Sequence, residues 1–124
     1  MKNGKAVILC IDDDKDILKS LQITLESKDY IVQTADSTEA ALKFYKADQP
    51  DLVLVDLMME EVDSGITFVR KIKALGPTPP IYMLSSVGDA LTMNVDFKEL
   101  GLHDVFQKPL IPAVLLKTIA PMLK

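Results

Sequence analysis

The chain is short of several things, and each scarcity closes a route. It has one cysteine, Cys10, among its 124 residues, so no internal disulfide framework can form, which fits a reducing compartment. It has one histidine, His103, in a predicted loop, and a lone loop histidine is read as neither metal ligand nor catalytic base. Positive charge is in deficit: 14 Lys and Arg against 18 Asp and Glu give a net charge of −4. No basic footprint for nucleic acid or an anionic membrane surface is therefore expected. No apolar run approaches the roughly 18 residues needed to cross a bilayer. The start, MKNGKAVILC, has lysines before an apolar patch too short for a signal peptide, with acids directly after it. Gly/Ser linkers, low-complexity tracts and internal repeats are missing too. What is there is a hydrophobic fraction of 48% and a mean hydropathy of +0.19, enough for one core. The expectation is a single cytoplasmic domain over residues 1–124 with no output domain.

Apolar runs of strand length mark the frame. AVILCI (Ala6 to Ile11) and DLVLVD (Asp51 to Asp56) have no polar break among their aliphatic residues, the pattern of strands buried on both faces. Shorter strands are predicted over Tyr30 to Ala35, Ile81 to Leu84 and Val105 to Gln107. Between them, apolar residues recur at helical spacing. Ile17, Leu18, Leu21 and Leu25 define a first helix. A second comes after Asp36 or Ser37 as N-cap and stops before Gln49-Pro50. Gly65 opens a third, which ends at Gly76-Pro77; a fourth covers about Asp89 to Leu100. A last one begins at Pro112 and is ended or kinked by Pro121. Strict alternation of strand and helix implies right-handed crossovers and an α/β fold, a three-layer (βα)5 doubly wound parallel sheet. The flavodoxin-like strand order 2-1-3-4-5 is the natural outcome.

The residues at the carboxyl ends of the strands carry the chemistry. The first strand ends in Asp12-Asp13, the third in Asp56, the fourth in Ser85 and the fifth in Lys108-Pro109. In the expected order these ends meet in one crevice with Asp56 central, where open α/β sheets bind ligands. Three close carboxylates repel unless protons or a cation intervene, and all-oxygen ligands suit a hard cation such as Mg²⁺. Lys108 adds a point charge and Ser85 a hydroxyl donor, a set that suits the peripheral oxygens of a phosphoryl group. The chemistry expected is phosphoryl transfer to the Asp56 carboxylate.

The pieces VILCIDDDKDIL, PDLVLVDLMM, PPIYMLSS and GLHDVFQKPL, in this order, resemble a two-component response regulator receiver domain over essentially the whole chain. The resemblance implies that Asp56 accepts phosphate from a histidine kinase or phosphotransfer protein. It implies Mg²⁺ on Asp13, Asp56 and the backbone carbonyl of Met58, with Asp12 acting mostly through water. Ser85 stands at the family's switch hydroxyl, Lys108 at its lysine, and Pro109 implies a cis Lys108-Pro109 bond. Such a domain is no conventional enzyme; it phosphorylates itself and slowly loses the phosphate. Apolar Met58 and Val87, near the family's hydrolytic water, imply a long-lived phosphoryl group. Output would pass to a downstream protein through the surface of the fourth helix, fifth strand and fifth helix.

The chain departs from the family at four places, one of them the segment from Ser85 to Gly101, which is one residue longer than usual. Glu60 stands where proline is usual. Ser64 holds the expected glycine position, with Gly65 one later, which reads as a one-residue insertion after Asp56. Val105 stands where a switch aromatic is usual. The last two motivate an alternative, a receiver-like protein-binding module that works without phosphate. A phosphohydrolase acting through an aspartyl phosphate is disfavoured, because Met58 cannot serve as the general acid.

Overall fold

In a computed structural model, residues 4–57, 64–86 and 101–123 are described. The elements are β1 (Val7–Ile11), α1 (Lys15–Glu26), β2 (Ile31–Ala35), α2 (Thr38–Ala47), β3 (Leu52–Asp56), α3 (Ser64–Ala74), β4 (Ile81–Ser85), β5 (Asp104–Gln107) and a C-terminal helix (Pro112–Ile119). A 3₁₀ turn over Ala120–Leu123 contains Pro121, so the proline falls just past the helix end. The helix expected near Asp89 to Leu100 lies outside the described residues.

All five strands are parallel, in the order β2-β1-β3-β4-β5. The unbroken apolar runs sit where they have cover on both faces: every residue of β1, β3 and β4 is buried. The edge strands β2 and β5 are mostly half-buried or exposed.

Side chains alternate across the sheet, and this divides the interior into two cores. Leu9, Ile11, Val53, Val55, Ile81 and Met83 face α2 and α3, meeting Ala41, Tyr45, Phe68 and Ile72. Ile8, Cys10, Leu52, Leu54, Tyr82 and Leu84 face α1 and the C-terminal helix, meeting Leu18, Leu21, Leu25, Leu115 and Ile119. Burying each large aliphatic side chain stabilises by about 1.5–3 kcal/mol.

Local chemistry sets the helix starts. Asp14 caps α1, its side chain accepting the N–H groups of Asp16 (2.9 Å) and Ile17 (3.4 Å). Of the two candidates before α2, Ser37 is the cap; its Oγ accepts the Ala40 N–H at 3.1 Å. At the amino end of the sheet, Asp51 Oδ2 accepts the Val7 N–H at 2.7 Å, while the Asp51 N–H donates to the Val7 carbonyl at 2.8 Å. This reciprocal pair extends the β1–β3 register, in which Ile8 stands opposite Leu52, by one step.

Candidate functional site

The alternation that builds two cores also gathers the site. Asp12 continues the phase of Ile8 and Cys10, Asp56 that of Leu52 and Leu54, and Lys108 that of Phe106. All three thus leave the sheet toward α1 and the C-terminal helix. Backbone bonds carry that phase past the strand ends: the Asp12 N–H donates to the Ala35 carbonyl at 3.1 Å, and the Lys108 N–H to the Ser85 carbonyl at 2.7 Å.

There the Lys108 ammonium bridges two carboxylates. Its Nζ lies 2.8 Å from Asp12 Oδ2 and 3.1 Å from Asp56 Oδ1. Asp12 is fully buried and Asp56 is 3% exposed. Asp12 Oδ1 accepts the Asp14 N–H at 2.9 Å. Among the described residues, Asp12 Oδ2 has no hydrogen-bond partner at good angles and is held by the ion pair to Lys108. Asp13 is exposed and completes an acidic group: one carboxylate oxygen from each of Asp12, Asp13 and Asp56 lies within 4.8 Å of the others.

Burial is the main force on Asp56. Together with the neighbouring Asp12 charge, it pushes the carboxyl up to about 6, against the opposing pull of Lys108. For Lys108, burial works to lower the ammonium, but its bonds and charge contacts with Asp12 and Asp56 outweigh burial and hold it above the ordinary lysine value. A pocket with an underused carboxylate oxygen and three crowded acids fits a hard divalent cation.

A model of the response regulator receiver domain matches residues 8–120. The chain belongs to the response regulator receiver domain family. It is 33% identical over 120 residues to a probable transcriptional regulator, ycf27, of Guillardia theta, covering 97% of this chain and 46% of that protein. It is 34% identical over 105 residues to the alkaline phosphatase synthesis transcriptional regulatory protein PhoP of Bacillus subtilis, covering 85% and 43%. The chain spans about half the length of the curated relatives it matches. Among solved structures, the Vibrio cholerae chemotaxis protein CheY4 superposes with a TM-score of 0.83 at 27% identity, covering 97% of this chain and 100% of that one. A receiver domain protein from Clostridium thermocellum gives a TM-score of 0.83 at 29% identity, covering 94% and 93%.

The residues expected to act are not all brought together in this receiver domain. Asp12, Asp13, Asp56 and Lys108 meet. Ser85 is 5% exposed and stands one step beyond Leu84, the partner of Asp56 across the ladder. It is in phase with Ile81 and Met83, however, and its Oγ donates to the Ser86 carbonyl at 3.2 Å. Val105 is half-buried against the α2–α3 core, in register with Met83. The Lys108-Pro109 bond is cis. Met58, Glu60 and Val87 lie outside the described residues. Cys10 is buried, and burial pushes its thiol far above the usual range.

Two features go beyond what the sequence pattern indicates. The pattern assigns Lys108 to a phosphoryl oxygen and gives no hint of its bond to Asp12; the shared phase of residues 12, 56 and 108 is the one signal available. The second is an aromatic stack on β5. Phe106, next to Val105 but on the opposite face, stacks on buried Tyr82 with ring centroids 5.2 Å apart and planes at 24°. His103 flanks the same Tyr82 ring at 5.2 Å.

Proposed function

We propose that this receiver domain takes a phosphoryl group onto Asp56 from the phosphohistidine of a histidine kinase or phosphotransfer protein. One observation carries the reading: a buried carboxylate at the end of the central strand, held by Lys108 and crowded by two further acids. An oxygen of Asp56 attacks phosphorus, a P–O bond forms and the P–N bond to the donor's imidazole breaks. The imidazole nitrogen leaves with the bonding pair and takes a proton from solvent.

Asp12, Asp13 and Asp56, with the Met58 carbonyl, would hold Mg²⁺. Bound there, the ion supplies positive charge against the oxygens of the group in transit. Lys108 exchanges a carboxylate partner for a phosphoryl oxygen, and Ser85 gives up its bond to Ser86 to donate to another. A cavity of about 470 Å³ opens beside Lys108, walled by Ile17, Leu21, Pro109 and Leu115, and offers the donor protein an apolar approach.

The product carries a charge near −2 at Asp56. That charge biases a surface that includes β5 and the C-terminal helix between two states, and a downstream protein in the cytoplasm reads it. Exposed Ile111 (62%) and Val114 (51%) suit such a protein contact.

Incubation with Mg²⁺ and a small phosphodonor, followed by intact mass measurement, tests the acceptor. One phosphoryl adduct on the parent chain and none on Asp56→Asn is the expected result; equal adducts on both would sink the reading. A second reading, a protein-binding module that works without phosphate, draws on Val105 in place of a ring. Partner affinity unchanged by Asp56→Asn or by phosphorylation would favour it.

A further inference from the structure

The first turn of α3 lies closer to the end of β3 than any side chain would permit. A Cβ built on Gly65 would overlap the Asp56 carbonyl oxygen, and would stand 3.0 Å from both the Asp56 carbonyl carbon and Leu57 Cα. These are backbone atoms, so no rotamer change could relieve the clash. The Gly65 N–H also donates to the Leu57 carbonyl at 3.2 Å, so helix start and strand end are bonded as well as touching.

Neither partner is free to retreat. Asp56 pairs with Leu84 across the ladder, and the Leu57 N–H donates to the Leu84 carbonyl at 2.9 Å. On the other side, Ile66, Phe68, Val69 and Ile72 anchor α3 in the core, each no more than 5% exposed. Helix propensity alone would favour alanine over glycine within a helix. The close approach to Asp56 gives position 65 a reason to stay bare.

We propose that Gly65 is a positioning residue for Asp56. Its bare Cα lets α3 seat against the Asp56–Leu57 peptide and fix the angle at which the Asp56 carboxylate meets Lys108 and Asp12. A methyl group there forces the peptide or the helix aside by about 1 Å, a misplacement of the size that costs about a hundredfold in rate. The inference rests on Asp56 as phosphoacceptor. It assigns the contact to the glycine nine residues after Asp56, rather than to position 64, where the family resemblance places it.

The test compares Gly65→Ala with Ile72→Val, a core change in the same helix that lowers stability away from the site. Each is measured for melting in EDTA, for Mg²⁺ affinity by calorimetry, and for phosphorylation rate as a function of small-donor concentration. Gly65→Ala is expected to weaken Mg²⁺ about tenfold. It should also lower the saturating rate about a hundredfold, with the half-saturating donor concentration unchanged. Ile72→Val should melt earlier and keep both. Gly65→Ala with the parent's Mg²⁺ affinity and rate would overturn the inference. If Gly65→Ala is unfolded in buffer, the same quantities are read in trimethylamine N-oxide, which restores the compact state by exclusion from the surface. If the parent chain takes no phosphate on Asp56, the proposed function fails, and the Mg²⁺ affinities of the two variants still decide the role of Gly65.

Discussion

β3 and β5 hold the two ends of one ion pair and are built in opposite ways. Every residue of β3 is buried, and it has neighbours on both sides in β1 and β4. β5 runs exposed, half-buried, half-buried, exposed, and among the described residues it pairs with β4 alone. Asp56 therefore stands on a strand paired on both sides, while Lys108 directly follows a strand that pairs, among the described residues, on one side. In the proposed function this suits the division of labour: the reacting group does not move, and the cation that tracks it sits beside the surface a partner could read.

Asp56→Asn breaks the comparison at its fixed end and has the largest effect, reducing the phosphoryl adduct to background. It should also stabilise the metal-free fold. Asp56 titrates near 6 in the folded chain, against 3.8 for an ordinary aspartate. The folded state thus holds this proton more tightly than the unfolded chain. Its contribution to stability is therefore lost as pH rises from about 4 to 6, and the full cost remains at pH 7. Removing the charge recovers on the order of 1–3 kcal/mol at pH 7 and flattens that part of the profile. Urea midpoints in EDTA between pH 4 and 8 check this, and an unchanged slope would contradict it.

Lys108→Ala breaks the other end. Two buried carboxylates then face each other without a counter-ion, and metal-free stability should fall by about 2–4 kcal/mol. Because a competing ammonium is gone, Mg²⁺ should bind the variant more tightly than the parent, as calorimetric titration would reveal. Weaker binding would mean that Lys108 organises the acids more than it competes for them.

Phe106→Ala sharpens the contrast. Loss of the stack on Tyr82 should cost about 1–2 kcal/mol, with phosphate uptake within about twofold of the parent. A large loss of uptake would show that β5 packing and the chemistry at Asp56 are not separable. The smallest effect belongs to His103→Ala, an exposed residue whose removal should shift stability by no more than about 0.5 kcal/mol.

The strands were legible because uninterrupted aliphatic runs such as LVLV fit only a covered sheet, and the helices because their apolar residues recur at one period. Boundaries shifted by one residue at all five strands and at the start of α3, where capping and ladder bonds decide the last residue and periodicity does not. The acidic group could be read from the strand ends once their order was inferred. The bridge from Lys108 to Asp12 could not, since it depends on the direction in which a long side chain turns after leaving its strand. The stack of Phe106 on Tyr82 stayed hidden for a related reason. It joins residues of two strands that are 24 positions apart in sequence, and only the observed register, with Tyr82 opposite Asp104 and Leu84 opposite Phe106, sets the two rings diagonally on one face of the sheet.

The reciprocal bonds between Asp51 and Val7 lie at the end of the sheet away from the acidic group, yet they bear on its composition. A parallel pair of apolar strands has little to stop one sliding along the other, because valine, leucine and isoleucine are nearly interchangeable as neighbours. A slip of β1 by one position would send Asp12 to the α2–α3 side and bring Ile11 or Asp13 level with Asp56. Any such slip must first give up both bonds at Asp51. A residue at the far end of the sheet thus helps fix which acids stand beside Asp56.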